Sequence, residues 1–271
     1  MHRDAYRPDC PSVPVSALMN SLNQILHADC LDALGDLPQD LAHLAYLDPP
    51  FNTGRTHSAA ETAYHDRWPS IEAYLDFLRP RVSAIRRVLK LNGSILLHCD
   101  WRTAPHLRLM LDDLFGRSNF VNHLIWVYGL GGSSPRRFAR KHDDILFYCG
   151  GDDYFFDPPM VPATSNRMKG QSKKARDVIE IPAINNMAAE RVGYPTQKPL
   201  ALLSLLVTAC CPPGGVVLDP FCGSGTALVA AARTGRHFIG IDINPDAVRI
   251  CKQRLDNECA RVGSAASHGA A

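Results

Sequence analysis

The chain has 271 residues, of which 46% are hydrophobic and 21% are charged, and its formal net charge is +2 at pH 7. This composition is ordinary for a soluble protein, and the length allows one large α/β domain with an insertion. No apolar run reaches the roughly 18 residues of a membrane span, and the N-terminus lacks the apolar core of a signal peptide. We therefore expect a cytoplasmic protein.

The cysteines do not follow a metal-binding pattern. There are nine of them, and none form a CxxC pair. The spacing typical of zinc ligands is therefore absent. We expect buried free thiols and no metal site.

The first half of the chain predicts strands that alternate with helices. Residues 1–20 are rich in proline and polar residues and predict an N-terminal arm. Compact apolar runs predict strands at 24–27, 41–47, 94–99, 120–128 and 144–149. Apolar residues at helical spacing predict helices at 31–37, 71–91 and 105–115, the second of them capped by Ser70. Residues 52–67 are polar without periodicity and predict a loop.

The second half begins with an irregular stretch, 150–190, that predicts an inserted region. After it the pattern predicts helices at 199–211, 225–234 and 245–259, strands at 216–219 and 237–242, and a flexible tail over 261–271. This alternation predicts a doubly wound, mostly parallel sheet of seven strands with helices on both faces.

Two predicted strands end in nearly the same way. Residues 47–51 are LDPPF and residues 218–221 are LDPF. In doubly wound sheets, ligands bind outside the carboxyl ends of the strands, where the strand order reverses. If these two strands are neighbours, their loops face each other across one crevice and can form two adjoining pockets.

The second of these loops is rich in small residues. Gly223 and Gly225 flank a tight turn into a helix whose first N–H groups are free. The third glycine of a dinucleotide fingerprint is missing, and no P-loop occurs. The next strand ends in Asp242, an acid suited to ribose hydroxyls. A nucleoside without a pyrophosphate fits this pattern, and S-adenosylmethionine (AdoMet) is such a molecule.

The first loop has the groups needed to activate an aromatic amine. The lone pair of an exocyclic amine on adenine or cytosine is delocalised into the ring. The Asp48 carboxylate and the Pro49 carbonyl could each accept one N–H and draw the nitrogen towards tetrahedral geometry. Proline fixes the backbone there, and Phe51 could stack on the base. A second Asp-Pro-Pro at 157–159 lies in the irregular stretch and predicts only a turn.

Three motifs resemble those of DNA amino-methyltransferases. DPPFNTG at 48–54 is similar to the catalytic motif, YPTQKP at 194–199 to the motif before the first sheet strand, and LDPFCGSGT at 218–226 to the AdoMet-binding motif. The segments LNGSILLHCD and RRFARKHDDILFY also resemble that family. The catalytic motif precedes the AdoMet motif, which is the order in the β group of these enzymes.

This resemblance implies a role for each matching residue. Asp48, Pro49, Pro50 and Phe51 would form the catalytic loop. The residues implied around AdoMet are Asp29, Thr196, Gln197, Lys198, Asp219, Phe221, Cys222, Gly223, Gly225, Thr226 and Asp242. The family often has Tyr at Phe51 and His at Tyr194. Because Phe keeps the stacking face, we expect activity to survive. We expect no catalytic role for the Cys222 thiol, since methyl transfer to an amine needs no covalent intermediate.

Basic residues cluster between Gly131 and Arg176, a stretch that contains nine Lys or Arg and only five Asp. The candidates for contact with DNA phosphates are Arg136, Arg137, Arg140, Lys141, Arg167, Lys169, Lys173, Lys174 and Arg176. The resemblance implies double-stranded DNA as partner, a flipped target base, a homodimer and target recognition by residues 150–190. Whether a restriction endonuclease accompanies the enzyme is left open.

Several alternatives stay open at this point. Asp at the first motif position favours adenine N6 in the family, whereas Ser favours cytosine N4, and both reactions use the same geometry. RNA and protein amino-methyltransferases usually have Asn-Pro-Pro-Tyr after the AdoMet loop. A non-catalytic DNA-binding relative would not need AdoMet. A cytosine-C5 enzyme needs a Pro-Cys nucleophile, and here only the reversed pair Cys10-Pro11 occurs.

Overall fold

A computed structural model of the chain describes residues 22–59, 62–129, 133–163, 167, 169–185 and 187–268, with the side chains of 55–65 and 259–268 excepted. The predicted N-terminal arm, 1–20, lies outside the described residues.

The described strands include the seven that the apolar runs predicted and five further short strands that the sequence did not predict. They are β1 (Gln24–His27), β2 (Ala42–Leu47), β3 (Arg55–Ala59), β4 (Thr62–Asp66), β5 (Leu89–Cys99), β6 (Phe120–Val127), β7 (His142–Cys149), β8 (Met160–Pro162), β9 (Ser172–Lys174), β10 (Val178–Glu180), β11 (Val216–Asp219) and β12 (His237–Asp242).

The helices begin where the sequence places caps or turns. They are α1 (Cys30–Asp36), α2 (Ile71–Val88), α3 (Ala104–Phe115), α4 (Leu200–Cys210), α5 (Thr226–Arg233) and α6 (Pro245–His268), with a single 3₁₀ turn at Arg117–Asn119. The Asp29 and Ser70 side chains accept the first free N–H groups of α1 and α2. The last helix, α6, continues to His268, so the helix extends into the predicted tail.

The main sheet has the order β1-β12-β11-β2-β5-β7-β6-β10. Strands β1, β12, β11, β2 and β5 are parallel, and β7 is antiparallel to both of its neighbours. The prediction of a mostly parallel, doubly wound sheet is confirmed. An eighth strand, β10, extends the seven that were expected by pairing with the edge strand β6.

Helices cover both faces of this sheet, and each face has its own apolar core. One core lies between the sheet and helices α1, α2 and α3, and includes Leu34, Tyr74 and Leu107. The other core lies between the opposite face of the sheet and helices α4, α5 and α6, and includes Leu203 and Leu228. Burial on both faces explains why the central strands are nearly continuous apolar runs. No described helix is both long and apolar enough to cross a membrane.

The loop prediction for residues 52–67 was wrong in part, because β3 and β4 form an antiparallel hairpin there. A two-stranded hairpin outside the main sheet does not need the apolar alternation that identifies core strands. The helix predicted to reach Leu91 ends at Val88 instead, because β5 already pairs Leu89 with Ala42 of β2. Gly93 therefore lies within a strand, where an added Cβ would be 3.1 Å from the Ala42 carbonyl oxygen.

Candidate active site

The strands that carry the two LDP turns are neighbours. Strands β11 and β2 run parallel, with Leu218 opposite Ala45. Both turns therefore leave the sheet at the same edge and next to each other, as the hypothesis from the sequence requires.

A cleft lies at this edge of the sheet, between the two loops. The predicted residues that line it are Asp48, Pro49, Pro50, Phe51, Thr196, Lys198, Asp219, Phe221, Cys222, Gly223, Thr226 and Asp242. Three predicted residues lie among the supporting structure instead. Asp29 caps α1 and pairs with Arg81 at 2.7 Å. Gln197 donates to the Glu190 carbonyl and accepts from Val192 N–H. Gly225 contacts Cys251 of α6.

The loop after β2 is held rigidly by side chains that the sequence did not single out. The Tyr74 hydroxyl of α2 donates to the Pro50 carbonyl at 2.7 Å. The buried Asp66 carboxylate accepts the backbone N–H groups of Asn52 and Thr53 at 2.6 and 3.1 Å. Asn52 has a φ of +57°, which Asn tolerates better than most residues. These contacts orient Asp48 and Phe51 before any ligand enters.

The catalytic candidate Asp48 is paired with a cation. Lys198 Nζ lies 2.5 Å from Asp48 Oδ2, and the same ammonium is 5.2 Å from the centre of the Phe51 ring. The second carboxylate oxygen, Oδ1, faces the His98 ring at 4.0 Å. Lys198 therefore reaches the catalytic loop itself, whereas the sequence placed it only at the cofactor pocket.

A buried polar cluster beneath the loop was missed from the sequence. The His98 side chain on β5 is fully buried, with Nδ1 2.8 Å from the Tyr46 hydroxyl and Nε2 3.4 Å from Asp143 Oδ2. Its ring contacts Phe51, with ring centres 5.5 Å apart. Burial tends to raise the pKa of Asp143, but the contacts with His98, Lys198 and Tyr128 together lower that pKa below its usual value. A histidine and an aspartate within apolar strands were the available signal, since such residues are rarely buried without a partner.

The glycine-rich turn is packed closely against neighbouring side chains and has no room for a side chain at Gly223. Gly223 has a φ of +50°, and an added Cβ would lie 3.1 Å from the Tyr194 ring. Its N–H donates to Asp242 Oδ2 at 2.8 Å, while Asp242 Oδ1 accepts from Asn244 N–H. The Thr226 hydroxyl at the start of α5 is held by Arg254 at 3.0 Å.

The Cys222 thiol is buried beside Cys251, and both this neighbour and burial raise its pKa well above the ordinary value. It is therefore a thiol, not a nucleophilic thiolate. The described free cysteines are all buried, as predicted: Cys30, Cys99, Cys149, Cys210, Cys211, Cys222 and Cys251.

The charge of the cleft suits a cationic ligand. Among the described residues that line it, Asp48, Asp66, Asp219 and Asp242 are acidic and Lys198 is basic. Burial raises the pKa of Asp219 well above its usual range, with the carboxylates of Asp48 and Asp242 adding to the effect. Burial also raises the pKa of Asp242. AdoMet carries two positive groups, a sulfonium and an ammonium, and one negative carboxylate, so its net charge is positive. The predominantly acidic lining of the cleft fits that charge.

The predicted DNA-contacting residues lie outside the cleft. Arg136, Arg137 and Arg140 are exposed in the loop between β6 and β7, which also contains Lys141. Arg167, Lys169, Lys173, Lys174 and Arg176 belong to the 150–190 region, and Arg176 pairs with Glu180 at 3.3 Å.

A parallel α/β sheet with these two loops over one cleft defines a methyltransferase of the kind that modifies amino groups. The family described as DNA methylase, the N6 and N4 methyltransferases, matches residues 42–253. The chain belongs to this family and is an AdoMet-dependent DNA amino-methyltransferase.

Curated relatives agree with this assignment along most of their length. The chain is 28% identical to the DNA adenine methyltransferase YhdJ of Escherichia coli (strain K12), covering 88% of this chain and 84% of the relative. It is also 28% identical to the type II methyltransferase M.ScaI of Streptomyces caespitosus, over 86% of this chain and 81% of the relative.

Solved structures share the fold. The M1.HpyAVI–SAM complex has a TM-score of 0.63 at 23% identity and covers 86% of this chain and 98% of that chain. The cytosine-N4-specific PvuII DNA methyltransferase has a TM-score of 0.62 at 14% identity, covering 84% of each chain.

Proposed function

We propose that the protein methylates N6 of adenine in double-stranded DNA, on a base flipped out of the duplex. The observation that carries this proposal is the shared cleft of the DPPF loop after β2 and the glycine-rich loop after β11. One loop presents an amine and the other holds the methyl donor. A base within a duplex can reach such a cleft only when it leaves the stack.

Adenine is the preferred base for two reasons. Asp48 occupies the first position of the catalytic motif, where adenine enzymes of the family favour Asp. Among the relatives, YhdJ is named a DNA adenine methyltransferase. Methylation of cytosine N4 is the alternative, because an amine of either base could be held by the same groups.

The catalytic loop would activate the amine by position. Asp48 Oδ2 is occupied by Lys198, which leaves Oδ1 to accept one amine N–H. The Pro50 carbonyl is already occupied by the Tyr74 hydroxyl, so the Pro49 carbonyl is the acceptor for the second N–H. Phe51 stacks on the base. The two acceptors turn the nitrogen lone pair towards the methyl donor, which is catalysis by orientation and fixed dipoles.

The charges around Asp48 would also handle the proton that the amine must lose. Methylation leaves a positive nitrogen, and the Asp48 carboxylate stabilises that charge and can accept the proton. The Lys198 ammonium offsets the negative charge of the Asp48 carboxylate. We propose that Lys198 positions the Asp48 carboxylate, in addition to the role at the cofactor pocket that the sequence predicted for Lys198.

The glycine-rich side of the cleft would hold AdoMet, which supplies an electrophilic methyl group on its sulfonium when bound. We assign Asp219, Phe221, Gly223 and Thr226 to its methionine part and Asp242 to its ribose, with Thr196 closing the pocket. Gly225 and Gln197 support the loops on which these residues lie. Asp29 lies outside the cleft lining, so we propose that it shapes the adenine end through the start of α1.

The rest of the chain would serve DNA recognition. We propose that residues 21–149 and 191–260 are the catalytic and AdoMet-binding parts of one methyltransferase domain, and that residues 150–190 contain the target-recognition region. The exposed arginines and lysines of 136–141 and 167–176 would contact phosphates and set the register on the duplex. The resemblance to the β group supports a homodimer, and the type II name of a relative supports a role in restriction and modification.

Nucleoside mass spectrometry tests the proposal directly. Purified protein is incubated with unmethylated genomic DNA and AdoMet, and the digested DNA is searched for methylated nucleosides. We expect N6-methyladenine. N4-methylcytosine would overturn the base assignment and keep the site, whereas neither product with AdoMet still bound would overturn DNA as the substrate.

A further inference from the structure

We propose that Phe138 enters the DNA base stack and fills the space that the flipped target base leaves. This inference rests on the proposed methylation of a base in duplex DNA. It assigns a function to the loop between β6 and β7, residues 128–141, whose basic residues alone predict only phosphate contact.

Phe138 is unusually exposed for an aromatic side chain. It is 97% accessible, whereas most large apolar side chains of the described chain are buried. It is surrounded in sequence by Arg136, Arg137 and Arg140, all exposed. In the described part of the chain, the guanidinium groups of Arg136 and Arg137 pair with no carboxylate. An apolar ring flanked by exposed cations is complementary to a base stack flanked by phosphates.

The loop lies at the edge of the sheet that carries the active site. Strand β7 begins beside the end of β5, with Asp144 opposite Cys99, and beside the end of β6, with His142 opposite Val127. Asp143 in turn lies 3.4 Å from His98, whose ring is 4.0 Å from Asp48. Phe138 and Asp143 are five positions apart in the chain, so their Cα atoms lie within about 18 Å of each other.

A stacked pair holds the base of this loop to the edge. The Arg140 guanidinium carbon lies 3.4 Å from the centre of the Trp101 ring, and Trp101 follows directly after β5 and Asp100. A tight turn precedes Phe138, closed by the bridge between Ser134 and Arg137. Phe138 therefore lies, fully exposed, between this turn and the contact of Arg140 with Trp101 at the catalytic edge.

An inserted ring would lower the cost of base flipping. Extrusion of a base costs a few kcal/mol in lost stacking and pairing. A phenyl ring in the vacated position recovers part of the stacking and hinders the return of the base. The benefit exists only where the target was paired, because a mismatched base is already cheap to extrude.

The test compares Phe138→Ala with wild type on two duplexes. The target site is first read by sequencing DNA that the wild-type enzyme has methylated. One duplex carries the site with its normal base pair, and the other carries a mismatch opposite the target base. Phe138→Leu keeps an apolar side chain, and Leu109→Ala, on an exposed helix position, controls for loss of surface apolar area.

We expect Phe138→Ala to lower kcat/KM at least about tenfold on the paired duplex and less than about threefold on the mismatched one. Phe138→Leu should retain intermediate activity, Leu109→Ala full activity, and all variants the wild-type affinity for AdoMet. An equal loss on both duplexes, or no loss on either, would overturn the inference. A change in sedimentation of Phe138→Ala would also overturn it, by assigning the ring to contact with a second copy of the chain.

The activity of the wild-type enzyme on the two duplexes distinguishes a failure of this inference from a failure of the proposed function. If it methylates both duplexes, the proposed function stands whatever Phe138 does. If it methylates neither, the proposed function fails first, and the role of Phe138 fails with it.

Discussion

The ammonium of Lys198 lies 2.5 Å from the carboxylate of Asp48, although 150 positions separate the two residues in the chain. The side chains are only 11% and 17% exposed, so solvent screens the pair weakly. The contact joins the motif before the AdoMet loop to the catalytic loop. A change in either motif should therefore disturb the geometry of the other.

Lys198→Met should therefore impair turnover more than cofactor binding. Removing the cation leaves the poorly exposed Asp48 carboxylate without its ion-pair partner. We expect kcat to fall at least about tenfold, a loss that corresponds to about 1.4 kcal/mol, while the Kd for AdoMet changes less than about threefold. Lys198→Arg keeps the charge and should recover part of the activity. A large rise in Kd with kcat preserved would return Lys198 to a purely cofactor-binding role.

Asp48→Ala should abolish methyl transfer and leave AdoMet binding nearly intact, because its carboxylate acts on the amine. Methylation is followed by transfer of labelled methyl groups to DNA, and AdoMet binding by calorimetry. The chain offers a matched control in Asp157, which heads the other Asp-Pro-Pro sequence and is exposed. Asp157→Ala should keep wild-type activity. Full turnover by Asp48→Ala would refute the assignment of the catalytic loop.

Asp242→Ala should have the opposite effect. Its carboxylate accepts the N–H groups of Gly223 and Asn244, so it holds both walls of the cofactor pocket as well as the proposed ribose contact. We expect the Kd for AdoMet to rise at least about tenfold, since a lost charged hydrogen bond costs about 1.5–3 kcal/mol. Asp256→Ala, on the exposed side of α6, is the control. Unchanged AdoMet affinity in Asp242→Ala would exclude this residue from the cofactor pocket.

Gly225→Ala should destabilise the fold. Gly225 has a φ of +75°, and an added Cβ would lie 2.1 Å from Cys251 Sγ. We expect a loss of about 2–4 kcal/mol in the free energy of unfolding, from backbone strain and overpacking together. Gly214→Ala isolates the strain, because Gly214 has a φ of +71° with nothing within 4 Å of an added Cβ.

Chemical denaturation of a variant that combines Gly225→Ala with Cys251→Ala separates the contribution of backbone strain from that of overpacking. If the clash matters, Cys251→Ala should reduce the cost of Gly225→Ala, and the two changes should not add. Strict additivity would attribute the whole cost to backbone strain.

His43 should contribute to acid destabilisation. Its Nδ1 accepts the Val216 N–H at 3.0 Å, which requires the neutral ring, and burial together with Lys90 lowers its pKa to about 4. An unfolded histidine has a pKa of about 6.5, so the unfolded chain binds this proton more strongly. The stability is therefore fully present above about pH 6.5 and is lost as the pH falls towards about 4.

His43→Asn keeps an acceptor for Val216 N–H but cannot titrate. Denaturation midpoints are measured at pH 7.5 and pH 4.5 for both proteins. We expect a smaller decline in the variant, and an identical decline would show that His43 adds nothing to the acid sensitivity.

Much of the fold could be predicted because its physical signals are local. Apolar runs identified the central strands, and Ser70 identified the start of α2. The hairpin β3–β4 was missed because it lies outside the main sheet, where no buried face imposes a pattern. The end of α2 was misplaced because pairing of Leu89 with Ala42 decides that boundary.

By itself the sequence determined the chemistry available to this protein: a carboxylate and proline carbonyls in one turn, a glycine-rich turn, and acids at strand ends. Each is a short motif whose function follows from residue type and backbone freedom. Only the tertiary structure decided which groups meet. The contacts of Lys198 with Asp48 and of His98 with Tyr46 and Asp143 join distant segments across neighbouring strands. Strand order and register create such contacts, and no local pattern in the chain specifies them.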